Sequence, residues 1–145
     1  MKDYPYHERV LPFILEEKAA LLGDRPFIVG DGELTYRETR EQTARFGAGL
    51  RRLGVGRGDR VLTMLPNRVE AVVAFLGIAW IGAVGVPVNT AYRGEMMRYI
   101  MSDADAAVLV IHTDFLGTFL EVADRLPAIR HLVVCGGAPP AWLDG

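Results

Sequence analysis

Asn89-Thr90-Ala91-Tyr92-Arg93 places an amide, a hydroxyl, an aromatic ring and a guanidinium side by side, just before a helical pattern. Such a mixture can meet a phosphate or an acyl chain, because a guanidinium fork matches phosphate oxygens and a ring covers apolar carbon. The plainer reading of the same residues is a strand exit followed by a helix cap. His112 closes the apolar run "AAVLVI" and could move a proton. A histidine in that setting is more often a packed or capping group than a base.

The remaining chemistry-bearing residues do not assemble into a catalytic set. Ser102 is the sole serine, and Lys2 and Lys18, both in the N-terminal region, are the sole lysines. A serine nucleophile needs a base within reach, and no nucleophile-elbow motif surrounds Ser102, which is expected to end a helix. Asp103 and Asp105 read as solvated acids in a helix-to-strand turn. Cys135, the single cysteine, excludes an intrachain disulfide framework and has no metal-ligand spacing, and His7, His112 and His131 lie far apart. No catalytic residue and no metal ligand is expected.

Two glycine clusters invite a nucleotide reading. In "GVGRG" (Gly54, Gly56, Gly58) the order is wrong, because the dinucleotide fingerprint follows a strand and opens a helix, whereas this cluster closes a helix and leads into a strand at Val61. Gly54 is placed to be the left-handed residue that ends the helix. "CGGAPP" does follow a strand, but Pro139 and Pro140 give no phosphate-cradling helix start, so a turn is expected.

The elements that must carry these residues alternate. A helical stretch from Glu8 to Leu22 stops at Gly23, and "FIV" and "ELTY" flank "GDG" as a small hairpin. Tyr36 to Leu53 reads as an amphipathic helix with Thr35 and Glu38 as a capping box and Arg37, Glu41 and Arg45 paired along its polar face. Ala71 to Val88 runs uncharged for long enough to suggest a membrane span. Its composition changes at Gly82, so it divides into a buried helix, opened by an Asn67/Glu70 capping box, and a short strand "AVGVPV". Helices over about Gly94–Ser102 and Asp114–Arg125 then alternate with "AAVLVI" and "HLVV". Apolar strands separated by helices imply a parallel sheet covered on both faces, an α/β fold. In such a sheet ligands bind beyond the carboxyl ends of the strands, which selects the loops at Pro66–Asn67, Asn89–Arg93, His112–Asp114 and Cys135–Gly137.

The bulk properties narrow the classes. The chain has 145 residues, half of them hydrophobic and 23% charged, a globular composition. With a formal charge of −2 and no basic patch, nucleic acid is not an expected partner. The start "MKDYPYHERV" has no signal-peptide character, which makes the cytoplasm the expected compartment.

The segment from Asp24 onward resembles the N-terminal part of the adenylate-forming enzymes, the superfamily of acyl-CoA synthetases, peptide-synthetase adenylation domains and luciferases. "LTYRET" is similar to its first core motif and "GIAWIGAVGVPVN" to its second, and "NTAYRGEMMRYIMSDADAAVLV" is closer to the acyl-CoA ligase branch. Thr39 stands where the family usually has leucine, a softening of helix packing. The resemblance implies a partial doubly wound parallel sheet with flanking helices and a small N-terminal hairpin, residues 1–145 being an incomplete N-terminal subdomain that stops before the phosphate loop.

It also implies a parent that joins a carboxylic acid to ATP and then to CoA, with ATP, Mg²⁺ and CoA needed by the full-length enzyme and none expected for this segment alone. Asn89, Thr90, Tyr92 and Arg93 would form a rim of the CoA or acyl site. The implied partner is the rest of the synthetase domain, with self-association through exposed apolar surface as the consequence of its loss. The alternative is a free-standing α/β binding or interaction module that reuses the half-domain.

Overall fold

The computed structural model describes residues 4–30 and 32–137. A 3₁₀ turn at Tyr6–Glu8 precedes helix α1 (Leu11–Leu22), which begins later than the sequence suggests. Val10 is extended, and Pro12 sits in the first helical turn, where its missing N–H is not needed. Strands β1 (Pro26–Ile28) and β2 (Leu34–Thr35) form the expected antiparallel hairpin. Helix α2 (Tyr36–Arg52) follows, and both halves of the Thr35/Glu38 capping box are made. Arg37 pairs with Asp24 before the hairpin, so the polar face of α2 is partly tied to neighbouring chain. Gly54, at φ +86°, ends the helix as the sequence required.

The main sheet has the order β4-β3-β5-β6 and is parallel throughout. Its strands are β3 (Arg60–Met64), β4 (Val84–Pro87), β5 (Val108–His112) and β6 (His131–Cys135), joined by α3 (Val69–Trp80), α4 (Gly94–Asp103) and α5 (Thr113–Leu120). Alternate residues of the central strands face opposite layers. Val61, Val108 and Val110 pack beneath α2 and α3 with Leu50, Ala74 and Ile78. Leu62, Met64, Leu109 and Ile111 pack against α4 and α5 with Met97, Met101, Leu116 and Phe119. This is the doubly wound arrangement, and the fold is α/β.

Two expected boundaries shift. The residue capping α3 is Arg68, not Asn67, and no side-chain cap is made there. Pro66 and Asn67 are spent on the strand exit, where Arg68 N–H donates back to Pro66 O at 2.8 Å, so Glu70 falls one position too early for the box. The helix begun at Thr113 stops at Leu120, and a separate 3₁₀ turn covers Ala123–Arg125, with Val122 leaving helical geometry between them. The long uncharged run does divide into a helix and a strand, and no helix among the described residues is long and apolar enough to cross a membrane. It is not covered on all sides, however: Phe75 is 60% exposed and Val84, on the edge strand β4, 48% exposed.

Thr39 and Thr43 are buried without any exposure in the face of α2. Thr39 Oγ1 donates to Thr35 O at 2.8 Å, so its hydroxyl is satisfied. Thr43 Oγ1 has no hydrogen-bond partner among the described residues.

Candidate site at the carboxyl end of the sheet

Adjacent strands β3 and β5 send their following helices to opposite faces, α3 to one and α5 to the other, which makes their carboxyl ends the switch point of the sheet. The loops selected from the sequence all leave strands at this end.

The loop after β4 is bonded mainly to itself. Asn89 Oδ1 accepts from Ala91 N–H at 2.9 Å, and Tyr92 N–H donates to Asn89 O at 3.0 Å, a turn closed by side chain and backbone together. Arg93 Nη1 donates to Thr90 O at 2.6 Å and to Tyr92 O at 2.7 Å. The guanidinium therefore braces its own loop as well as facing solvent. Tyr92 is half-buried against the core cluster that includes Val88 and Met97, and Gly94 turns into α4 at φ +49°. Asn89, Thr90, Tyr92 and Arg93 are thus brought into one turn. Glu95, in the first turn of α4, pairs with Arg98 at 2.8 Å and also with Arg125.

His112 is 2% exposed and caps α5, its Nδ1 accepting from Asp114 N–H at 3.2 Å. Both parts of the bland reading hold, since it is packed and it caps. The other ring nitrogen, Nε2, is buried without a hydrogen-bond partner among the described residues. Cys135 lies beside it in the ladder. Burial, and secondarily the Glu70 carboxylate, hold the Cys135 thiol above its ordinary range, which suppresses thiolate chemistry. Gly136 and Gly137 follow in positive φ, while Pro139 and Pro140 lie outside the described residues.

Asn67, exposed at the end of β3, joins two apolar hollows that sequence reasoning missed. One, of about 600 Å³, lies between the hairpin loop (Val29, Gly30) and α3 (Ala71, Val72, Phe75). The other, of about 240 Å³, continues past Phe75 and Ile78 to Gly85 and Pro87 of β4. The signal was the unbroken apolarity of α3 from Ala71 onward, which left no polar face there to turn to water.

"GVGRG" lies at the opposite, amino end of the sheet and is closed to a phosphate. Four of its five backbone donors are spent: Gly54 on Arg51 O, Val55 on Leu50 O, Gly58 on Gly82 O and Gly56 on Asp59 Oδ2. A polyphosphate cradle needs such N–H groups free. Asp105, pairing with Arg60 at 3.6 Å, is an exposed turn acid as expected, while Asp103 is exposed as the last residue of α4.

Comparison with known proteins agrees with this fold. The family model described as AMP-binding enzyme matches residues 15–142. The 3-hydroxybenzoate–CoA/4-hydroxybenzoate–CoA ligase of Thauera aromatica is 36% identical over 127 residues, 81% of this chain and 24% of its own length. A long-chain-fatty-acid–CoA ligase of Escherichia coli O6:H1 is 33% identical over 123 residues, 83% of this chain and 22% of its own. The crystal structure of the anthranilate CoA ligase AuaEII with anthranoyl-AMP superposes with a TM-score of 0.83 at 31% identity, covering 88% of this chain and 25% of that one. The chain spans under a quarter of the length of the two sequence relatives.

Proposed function

The chain belongs to the AMP-binding enzyme family, and from that premise we propose that its residues form the N-terminal part of the large domain of an ATP-dependent acyl-CoA ligase. The supporting observation is a disproportion: two acyl-CoA ligases align with 81% and 83% of this chain but only 24% and 22% of themselves. In a ligase of this kind a carboxylate oxygen attacks the α-phosphate of MgATP, pyrophosphate leaves, and the CoA thiol then displaces AMP from the acyl carbonyl.

The glycine-rich turn at residues 54–58 does not fit a triphosphate. The N–H groups of Gly54, Val55, Gly56 and Gly58 are already spent. No step of the reaction is therefore routed through them. The chain's contribution is scaffold, a half-sheet whose open apolar side, from Val29 through Phe75 to β4, supports the rest of the ligase domain as its partner in the cytoplasm. Relatives named for aromatic acids and for long-chain acids align equally well, so the acid is left as a carboxylate of either class.

Asn89, Thr90, Tyr92 and Arg93 are proposed as the rim that meets CoA or the acyl group. Arg93→Ala in the full-length ligase should raise KM for CoA, by the equivalent of about 1–3 kcal/mol, and spare adenylate formation. An unchanged CoA dependence removes Arg93 from the site.

Acid-dependent ATP–pyrophosphate exchange tests the whole reading. The full-length ligase carrying this segment should exchange with at least one member of a panel of short, medium, long and aromatic acids. Residues 1–145 alone should neither exchange above a heat-killed control nor bind MgATP with a Kd below about 1 mM, roughly 4 kcal/mol. Failure of the full-length protein with every acid overturns the proposal.

A further inference from the structure

His112 is engaged on both edges of its ring. One edge caps α5 through Nδ1, which also lies 3.1 Å from Asp114 Oδ2. The other edge lies against the backbone leaving β6, where a Cβ built on Gly136 would fall 1.9 Å from Nε2, inside the volume the imidazole occupies. Gly136 also holds φ +82°. Glycine is required there twice, by dihedral angle and by space. From the next residue along, Thr113 Oγ1 donates to Gly136 O at 2.5 Å. The β5–β6 ladder runs to the His112 and Cys135 pair, so these contacts take over where strand pairing ends. Leaving Nε2 buried and, among the described residues, unpaired costs stability that an apolar ring would not. An apolar ring, however, could not cap α5.

We infer that His112 and Gly136 form a positioning clamp. A single ring ties the first turn of α5 to the chain leaving β6, and so fixes one wall of the crevice beside the β3/β5 switch point. In open parallel sheets that crevice is where nucleotides are held. The clamp therefore governs affinity for MgATP and not the chemical step, an assignment that rests on the ligase reading above.

In the full-length ligase, Gly136→Ala should raise KM for MgATP at least about fivefold in pyrophosphate exchange and hold kcat within about twofold. Adding His112→Ala removes the ring that the new methyl meets, so the double variant should recover part of that loss, a non-additivity that independent sites do not show. Amide hydrogen exchange at residues 113–116 and 136, followed on the same proteins, should be faster in Gly136→Ala and partly restored in the double variant. His112→Asn, whose Oδ1 can still cap α5, serves if Gly136→Ala does not fold: protection of α5 is kept, protection at residue 136 is lost, and KM rises.

Strictly additive amide-exchange effects overturn the clamp, whatever the enzyme does. Coupled amide exchange with an unchanged KM overturns the positioning role. A wild-type ligase silent with every acid overturns the ligase reading instead, and the amide measurement still decides the clamp.

Discussion

The two sides of α3 are made of the same kinds of residue and end in opposite situations. On the inner side the helix approaches α2 so closely that a Cβ on Gly77 would lie 2.6 Å from Phe46 Cδ1 and 3.1 Å from Thr43 O, and one on Gly47 would lie 3.1 Å from Gly77 O. Reciprocal glycines let the backbones touch. On the outer side Ala71, Val72 and Phe75 line hollows that stand open beside the hairpin and β4. Apolar composition says that a helix is to be covered. The placement of its smallest residues says which side is covered within this chain.

The largest expected effect comes from forcing the inner side apart. Gly77→Val inserts a branched side chain where Phe46 and the Thr43 carbonyl leave no room, and overpacking of this kind should cost about 3 kcal/mol. Urea unfolding of the full-length ligase, or of this segment if it unfolds cooperatively, measures it. A loss under about 1 kcal/mol would mean that α2 and α3 can slide apart freely, and the contrast between the two sides would lose its basis.

A gain should come from the same contact. Thr43 is fully buried with an unpaired hydroxyl, whereas Thr39, one turn earlier, has its hydroxyl bonded to Thr35 O. Thr43→Val deletes the orphan and keeps the shape, and should stabilise by about 1 kcal/mol. Thr39→Val gives up a made bond and should gain less. Equal effects at the two positions would show that the Thr43 hydroxyl is satisfied in solution.

The outer side responds in association more than in stability. Phe75→Ser removes a ring already 60% exposed, so the folding free energy of the 145-residue chain should move by less than about 0.5 kcal/mol. Its sedimentation should move further, since an apolar patch of this kind drives self-association. Wild-type chain that sediments as a compact monomer at micromolar concentration would remove the argument that this face is built to be covered.

What could be read beforehand follows the range of the interactions. Local devices were legible: the Thr35/Glu38 box, the left-handed Gly54, and the change from helix to strand within Ala71–Val88 all depend on residues a few positions apart. The Asn67/Glu70 box failed although its pattern was right, because Pro66 and Asn67 were needed to leave β3 and the helix started one residue later. Strand order was not legible. β4 is as apolar as β5, yet one is an edge and the other is central, a difference made by pairings tens of residues apart. His112 was recognisable as a cap, but its partner Gly136 lies on another strand, and in the sequence that glycine signals only a turn.

The smallest effect separates two exposed carboxylates by the source of their stabilisation. Glu38 accepts from Thr35 N–H at 2.9 Å and from Thr35 Oγ1 at 2.9 Å, and these bonds, the backbone one foremost, hold its carboxyl below the ordinary range. Glu95 is also held low, first by Arg98 and then by Arg125. A carboxyl lowered by folding contributes stability that is present above its unfolded value, about 4.3, and lost as pH falls through the folded one. Both Glu38→Gln and Glu95→Gln should therefore lessen the acid-side fall in Tm between about pH 5 and 3. Salt tells them apart. Raising ionic strength screens the guanidinium attraction at Glu95 and leaves a short capping bond to backbone nearly untouched. The difference between wild type and Glu95→Gln should shrink in 0.5 M salt, on the order of one Debye length of about 4 Å, while that for Glu38→Gln persists. Equal shrinkage for both would mean that the box acts through charge at the start of α2 and not through the hydrogen bonds that close it.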